Sequence, residues 1–252
     1  MAKKVLITGG GKRIGAALCR AFAGKDYQVY IHVNNSAAEA EKLLCELKNP
    51  AWHQITRCDF SDQTARQNWL KTLPEFDLLI ANASCYRLTK RGETESVENR
   101  QRYWQVNYRT TLELIEFQQK NLPENLPASA IIMLDCDVLE SDGSIRKFVE
   151  PPVGVDSYLA SRIALANQLP ALAKKLAPAL RLNAIAPGPV LPPVDCSTKG
   201  MTVILEKVPM NQPVGVNEIV NTAIFLAENP SLTGTIIPVD GGMHLNSNKE
   251  NK

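Results

Sequence analysis

Short apolar runs alternate with segments of helical period along almost the whole chain. The runs VLIT, VYIHV and DLLIANA are followed by helical patterns at residues 14–22, 37–47 and around 103–119. The runs AIIML, LRLNAIA and TIIPVD continue the alternation, with further helical patterns at about 157–176 and 217–226. Strands that are joined through a helix pair in parallel with one another. The order therefore predicts an α/β fold with a doubly wound, mostly parallel sheet of about seven strands.

One domain accounts for the chain. Its 252 residues, of which 44% are hydrophobic, can bury a single large core, so a second domain is not required. We assign residues 1–245 to this domain, including its substrate loops, and residues 246–252 to a polar tail that we expect to fray. Two irregular stretches, 141–156 and 187–210, follow strands at their carboxyl ends, where sheets of this kind bind ligands.

The charge pattern is not typical of a nucleic-acid or membrane partner. The 28 basic and 26 acidic residues are spread along the chain and leave a formal charge of +2. No run of about 18 apolar residues occurs, and no signal-peptide core follows the start MAKKVLITGG, so we expect a cytoplasmic protein that binds a small molecule. The six cysteines form no CxxC pair and the histidines show no ligand spacing, so we expect no metal site.

A glycine-rich turn separates the first predicted strand from the first predicted helix. Residues 8–15 read Thr-Gly-Gly-Gly-Lys-Arg-Ile-Gly. Glycines let the backbone approach a pyrophosphate closely, and the amino end of the following helix offers free N–H groups to it. The strict G-x-G-x-x-G fingerprint is absent because Ile14 occupies its last position. The flanking strand and helix favour a phosphate site, and a plain tight turn is the alternative.

The turn resembles the Thr-Gly-x-x-x-Gly-x-Gly signature of the short-chain dehydrogenase/reductase family. Arg13 replaces the middle glycine, a replacement similar to that in the pteridine reductase branch. The resemblance continues almost end to end through an ordered set of motifs: Asp59, Asn82-Ala83-Ser84, Asn107, Tyr158 four residues before Arg162, Asn183-Ala184-Ile185-Ala186-Pro187-Gly188 and Asp240-Gly241-Gly242. It implies a single-domain Rossmann-type fold, a nicotinamide cofactor and oxidoreductase activity.

The end of the second predicted strand favours NADPH over NADH. The sequence there is His-Val-Asn-Asn-Ser at residues 32–36, and the first carboxylate is Glu39. A carboxylate at this place would bind the adenine ribose of NAD and repel the 2′-phosphate of NADP, whereas amides, a hydroxyl and Arg13 can donate to that phosphate. Capping of the next helix by Ser36 is a compatible alternative.

The resemblance assigns a set of cofactor-binding positions. Asp59 would accept a hydrogen bond from the adenine amine, Asn82 would line the nucleotide, and residues 187–190 would flank the nicotinamide amide. The full set is Gly9, Arg13, Ile14, Asn34, Asn35, Ser36, Asp59, Asn82, Ala83, Ser84, Tyr158, Arg162, Pro187, Gly188 and Val190.

Tyr158 resembles the proton donor of the family. A free tyrosine, with a pKa of about 10, needs a nearby cation to stabilise its phenolate form near pH 7. The family has a lysine four residues further along, on the same helix face, and this chain has Arg162 there. Arginine keeps the positive charge but cannot shuttle a proton, so the water relay to Asn107 that the family implies is in question.

A second departure from the family lies in Leu134-Asp135-Cys136-Asp137. Counting from the Ile131-Ile132 pair, the catalytic serine of the family, or the aspartate of pteridine reductases, falls on Cys136. A thiol is a weak hydrogen-bond donor. A shift of one residue would bring Asp135 or Asp137 to the site, whereas in a regular strand both acids point away from it and stay in a solvated loop. The catalytic candidates are therefore Tyr158, Arg162, Asn107, Cys136 and Asp137, with Asp135 as an alternative.

Tyr86 stands where pteridine reductases resemble one another in carrying an aromatic residue that stacks on the pterin. An aromatic ring can hold a planar heterocycle against the nicotinamide, and Arg13 can contact both the cofactor phosphate and the pterin edge. Packing of a loop is the alternative for Tyr86. These residues predict an NADPH-dependent pterin reductase. A catalytically impaired NADP-binding protein and a reductase of 3-oxoacyl or other carbonyl substrates remain as alternatives.

The resemblance also implies a homotetramer in which two long helices, around 103–119 and 157–176, pair across two-fold axes. Ala160, Ala164 and Ala166 permit a close approach of helices, but alanines of this kind also pack within a monomer core.

Overall fold

The computed structural model describes residues 3–86, 94–122, 127–150, 157–191 and 198–249. Seven parallel strands form one sheet in the order β3-β2-β1-β4-β5-β6-β7. The strands are β1 (Lys4–Ile7), β2 (Gln28–Val33), β3 (Gln54–Arg57), β4 (Leu78–Ala81), β5 (Ala128–Met133), β6 (Leu180–Pro187) and β7 (Ile236–Val239). The predicted doubly wound α/β fold is confirmed.

Helices connect the strands and cover both faces of the sheet. They are α1 (Arg13–Gly24), α2 (Ala37–Glu46), α3 (Gln63–Leu70), α4 (Val97–Tyr103), α5 (Thr110–Lys120), α6 (Ser157–Leu176), α7 (Thr198–Leu205) and α8 (Val216–Glu228). A π-helical segment, Trp104–Arg109, joins α4 to α5 without a break. Short 3₁₀ helices occupy Pro50–Trp52, Cys136–Val138 and Met243–Lys249.

The strands contribute side chains to two hydrophobic cores, one on each face of the sheet, because successive side chains of a strand point to opposite faces. In β1, Val5 and Ile7 pack with the apolar sides of α1 and α8, whereas Leu6 packs on the other face with α5 and α6. Ile7 pairs in register with Ile31 of β2 and Ile80 of β4. The carboxyl ends of these three strands therefore lie side by side, and the loops that follow them meet at one edge.

Two stretches that were expected to lack regular structure contain helices. The segment 187–210, expected to be irregular, contains α7, whose apolar residues follow the Gly- and Pro-rich start of the segment. The polar tail, expected to fray from residue 246, is helical as far as Lys249, and Asn246 donates to the carbonyl of Lys207 at 2.9 Å. Among the helices described here, none combines the length and the apolar character needed to span a bilayer.

Candidate active site

The turn between β1 and α1 requires glycine for steric reasons. Gly9 has a φ of +64°, a left-handed value that side chains disfavour. A Cβ on Gly15 would collide with the carbonyl oxygen of Gly9. Arg13 has a φ of 54°, so the chain accepts backbone strain at the residue that replaces a family glycine. The first turn of α1 carries no acidic side chain, which leaves its N–H groups and dipole available to an anion.

The loop after β4 holds this turn in place. The hydroxyl oxygen of Thr8 accepts hydrogen bonds from the backbone N–H groups of Asn82 at 3.0 Å and Ala83 at 2.9 Å. The side-chain amide of Asn82 donates to the carbonyls of Thr8 and Gly9. The order of the strands reverses between β1 and β4: β2 and β3 follow on one side of β1, and β4 to β7 follow on the other. A crevice at such a switch point is where open α/β sheets bind their ligands.

His32 supports the turn from β2. Its Nδ1 accepts from the Gly9 N–H at 3.3 Å, its Nε2 lies 3.1 Å from the Cys58 carbonyl, and its ring stacks on Phe60. Burial lowers the pKa of His32 to about 4, so the ring is neutral near pH 7.

A groove runs along this edge of the sheet as two adjoining cavities of about 520 and 400 Å³. The residues that line both cavities are Arg13, Ile14, Asn82, Ser84 and Tyr86. The remaining lining of the first cavity is Gly9, Lys12, Gly15, His32, Asn34, Asn35, Ser36, Phe60, Ala83, Cys85, Arg102 and Val106. The remaining lining of the second is Met133, Leu134, Asp135, Tyr158, Arg162, Pro187, Gly188, Pro189, Val190, Leu191 and Ile204.

The first cavity offers donors to an anionic ligand. Its described lining contains Lys12, Arg13 and Arg102 and no carboxylate. Asp59 lies beside the cavity, where its Oδ1 accepts from the Ser61 N–H at 2.9 Å and from the Ser61 hydroxyl at 2.7 Å. Burial alone would raise the pKa of Asp59, but the hydrogen bonds from Ser61, the charge of Arg102 and a hydrogen bond from Asn34 together outweigh burial and leave the pKa lowered. Sequence reasoning missed Arg102, because no motif marks a basic residue on α4.

The second cavity contains the phenol of Tyr158, which lies in the first turn of α6. Its Oη donates to Oδ2 of Asp135 at 3.3 Å. Burial raises the pKa of Tyr158. The Arg162 guanidinium opposes this shift, and the Asp135 carboxylate adds to it. Arg162 is buried, its Cζ lies 5.7 Å from the centre of the Tyr158 ring, and its Nε has no hydrogen-bond partner in the described part of the chain.

The expected placement of Cys136 and Asp137 at the site is wrong. β5 ends at Met133, and Met133, Leu134 and Asp135 line the second cavity, whereas Cys136 and Asp137 do not belong to its described lining. The chain then turns into the 3₁₀ helix. There Cys136 is buried, and burial raises the pKa of its thiol, with a further increase from the neighbouring carboxylates. Asp137 is exposed, and its N–H donates to Oδ1 of Asp135.

Asn107 lies fully buried in the π-helical segment and connects three elements. Its Oδ1 accepts from the Cys85 N–H at 2.8 Å, and its Nδ2 donates to the Cys85 carbonyl at 3.0 Å. Nδ2 also lies 3.5 Å from the hydroxyl of Ser161 on α6, and the Ser84 hydroxyl lies 3.4 Å from Oδ1. A π-helical turn often marks a functional site, because its extra residue re-aims a side chain.

Aromatic rings surround the phenol. The ring of Tyr86, which is 49% exposed, lies 4.8 Å from that of Tyr158 at an angle of 70°. Tyr103, which sequence reasoning missed, packs at 6.0 Å on another side and is buried. Arg13 crosses the groove, and its Nη2 donates to the carbonyl of Leu191 at 3.3 Å. Tyr86 and Arg13 thus stand where the two cavities meet.

Comparison with known proteins gives one family and several relatives. A family model described as enoyl-(acyl carrier protein) reductase matches residues 10–244. A dihydromonapterin reductase of Escherichia coli is 27% identical over 245 residues, which cover 96% of each protein. The isoepoxydon dehydrogenase patN of Aspergillus clavatus is 30% identical over 260 residues, 96% of this chain and 94% of that protein.

A solved structure is similar over the same extent. The crystal structure of FolM alternative dihydrofolate reductase 1 from Brucella canis, complexed with NADP, superposes with a TM-score of 0.81. The two sequences are 30% identical, and the match covers 96% of this chain and 94% of that one.

Proposed function

The chain belongs to the short-chain dehydrogenase/reductase family, and from that premise we propose that it is an NADPH-dependent reductase of a pterin or a related planar heterocycle. The observation that carries the proposal is the contact of 3.3 Å between the Tyr158 phenol and the Asp135 carboxylate in the second cavity. A pair of titratable groups at the end of a dinucleotide groove can deliver a proton to a ring nitrogen or a carbonyl oxygen.

The first cavity fits a dinucleotide with a 2′-phosphate. Gly9 and Gly15 of the turn line this cavity without side chains, and the donors Asn34, Asn35, Ser36 and Arg13 lie in the same cavity without a carboxylate in the described lining. The NADP complex of the Brucella canis relative supports this assignment. We propose that the cofactor is held by Gly9, Arg13, Ile14, Asn34, Asn35, Ser36, Asp59, Asn82, Ala83, Ser84, Tyr158, Arg162, Pro187, Gly188 and Val190.

When bound, the nicotinamide supplies the hydride. Tyr158 donates the proton that the substrate requires, because its phenol keeps its proton near neutral pH when burial raises its pKa. Asp135 orients the phenol through the hydrogen bond. The side chain of Asp135 is only partly buried, so it connects Tyr158 with solvent and provides a route by which the phenol regains its proton.

Arg162 and Asn107 serve as positioning residues. The guanidinium of Arg162 stabilises negative charge on the phenol but cannot release a proton. Its Nε, which has no partner among the described residues, is available to a ribose hydroxyl. The amide of Asn107 is engaged by Cys85 and approaches Ser161, so it ties the loop after β4 to α6. Asp135 therefore takes the part that a lysine and a water relay play in the family pattern.

The aromatic ring of Tyr86 defines the substrate side. It stands at the mouth of the second cavity beside the phenol, where a flat ring system can lie between Tyr86 and the nicotinamide. Arg13 reaches both cavities and can donate to an acceptor on the pterin edge. The dihydromonapterin reductase of Escherichia coli supports the choice of a pterin over other planar rings.

Two alternatives rest on particular observations. Arg162 in place of lysine favours a protein that binds NADP but turns over poorly. The description of the matching family and the similarity to isoepoxydon dehydrogenase favour a reductase of carbonyl or acyl substrates. The shape of the substrate side separates the carbonyl reductase from the pterin reductase, because a slot closed by Tyr86 admits a flat ring and an open channel admits an acyl chain. Turnover itself distinguishes the impaired protein from both.

A substrate panel tests the proposal. NADPH oxidation is measured with dihydromonapterin, dihydrobiopterin, dihydrofolate and a 3-oxoacyl thioester, and the product is identified in each case. The proposal expects turnover on a dihydropterin and slower turnover with NADH in place of NADPH. Turnover on the thioester alone supports the carbonyl reductase. Saturable NADPH binding without turnover on any of the four supports the impaired protein.

We further propose a cytoplasmic homotetramer, on the basis of family resemblance. Ala160, Ala164 and Ala166 are already buried within one subunit, so these alanines add no support. Light scattering coupled to gel filtration measures the oligomeric state. A mass of one chain at micromolar concentration would contradict the tetramer.

A further inference from the structure

Arg102 is a basic residue at the cofactor groove that the proposed function does not yet use. It lies in the last turn of α4, one residue before Tyr103, and lines the first cavity together with Phe60 and Val106. Its Nε is buried and has no hydrogen-bond partner among the residues that the structure describes. A buried N–H without a partner costs free energy unless a ligand or water accepts from it.

The neighbours of Arg102 define the part of a ligand that would meet it. Phe60 and Val106 are apolar and buried. The Asp59 carboxylate lies close enough to Arg102 for their charges to interact, and the Arg102 charge helps to lower the pKa of Asp59. An apolar surface with one acceptor and one donor at its edge suits a flat base that carries an amine next to a ring nitrogen.

We propose that Arg102 recognises the adenine base of the dinucleotide, with its Nε–H donating to one of the two ring nitrogens that flank the adenine amine. This inference rests on the proposed function, in which the amine donates to Asp59. Adenine then meets an acceptor and a donor at neighbouring positions, and its faces lie against apolar side chains.

The alternative is that Arg102 pairs with the 2′-phosphate. The groove already places Arg13, Asn34, Asn35 and Ser36 in the cavity for that phosphate. The choice between base and phosphate is open to a direct test, because NADPH and NADH share the adenine and differ only in the 2′-phosphate.

The experiment measures dissociation constants of NADPH and of NADH by fluorescence titration for the wild type and for Arg102→Met. We expect the variant to weaken both ligands by the same factor, about tenfold, as for one hydrogen bond from a charged donor. A loss confined to NADPH would assign Arg102 to the phosphate and overturn the proposal. Unchanged affinity for both ligands would also overturn it.

Arg100→Met is the matched control, since Arg100 lies on the same helix and pairs with Glu150 at 3.3 Å. It should leave both dissociation constants unchanged. Arg102→Lys is a second variant that keeps the charge but removes the Nε–H, and it should lose affinity as the methionine variant does. Full affinity in the lysine variant would overturn the proposal. Failure of the wild type to bind either dinucleotide would refute the proposed function itself.

Discussion

Asp135 follows β5 and Tyr158 lies in α6, and a single hydrogen bond joins their side chains. Each side chain can therefore be tested by its own substitution. Replacing Asp135 by asparagine keeps the shape but removes the carboxylate that links the phenol to solvent. We expect kcat for the dihydropterin to fall by about 100-fold, the usual size of a general acid–base contribution. Steady-state kinetics at saturating NADPH measure this effect.

The neighbouring residue supplies the control. Cys136→Ala removes a buried thiol that does not belong to the described lining of the second cavity, and it should leave kcat within about twofold of the wild type. If the two variants behaved in the opposite way, Cys136 would be the residue at the site.

The charge of Arg162 opposes the effect of burial on Tyr158. Arg162→Met should therefore raise the pKa of the phenol further. The alkaline limb of the pH profile for reduction, which reports loss of the phenol proton, should move to higher pH. Arg162→Lys keeps the charge and should leave the limb close to that of the wild type. An alkaline limb at the same pH in the methionine variant would contradict this role.

His32 predicts a pH dependence of stability. Burial lowers its pKa from 6.5 to about 4, so the unfolded chain takes up a proton at a higher pH than the folded chain. The stabilisation from the neutral ring is complete above pH 6.5 and is lost as the pH falls towards 4, by up to about 3 kcal/mol. Urea unfolding at several pH values between 4 and 6.5 gives the free energy of unfolding as a function of pH. This free energy should change less steeply with pH in His32→Gln than in the wild type, and an unchanged pH dependence would contradict the prediction.

Residue types were easier to predict than their exact places. Tyr158, Arg162 and Asn107 were predicted from the resemblance to the family, and helix geometry adds that Tyr158 and Arg162, four residues apart, share a face. The identity of the acid did not follow, because it depends on where β5 ends, and a shift of one residue exchanges Asp135 for Cys136. The sequence did not predict Arg102 and Tyr103 at the site either, because their position there depends on how α4 packs in the folded chain.

At the scale of elements, the π-helical segment fixes the distance between α6 and the loop after β4. Asn107→Leu would leave the N–H and carbonyl of Cys85 without their partner, so we expect the free energy of unfolding to fall by about 2 kcal/mol. NADPH affinity should fall as well, because the loop carries Ser84. Asn121→Ala removes an exposed amide bonded to Phe117 and should change stability by less than about 0.5 kcal/mol. Equal effects of both variants would contradict the anchoring role.

The helical patterns at residues 14–22, 37–47 and 217–226 lie within about two residues of α1, α2 and α8, since burial on one face dictates the pattern. No pattern was predicted from the sequence for α3, α7 or β3. The helix at 157–176 is confirmed as Ser157–Leu176. The continuous helix expected around 103–119 is instead divided by the segment Trp104–Arg109. A π-helical turn inserts one residue without changing composition, so the pattern of apolar residues carries no signal for it.

For the whole molecule, topology places the site. The strand order reverses direction at β1 and β4, and the glycine turn, the loop after β4 and the end of β5 meet at that edge. The sequence motifs are dispersed along the chain. Most of them follow strands, and parallel pairing places the carboxyl ends of those strands at one edge of the sheet. The fold could therefore be predicted with its groove, whereas the depth and lining of the groove required side-chain packing.

A single-turnover experiment tests the central claim most directly. Enzyme loaded with NADPH is mixed with dihydromonapterin, and NADPH oxidation is followed for the wild type and for Tyr158→Phe. The account predicts stoichiometric oxidation by the wild type, and in the variant unchanged NADPH binding with a rate at least about 100-fold lower. Equal rates in the two proteins would show that the Tyr158 phenol does not deliver the proton.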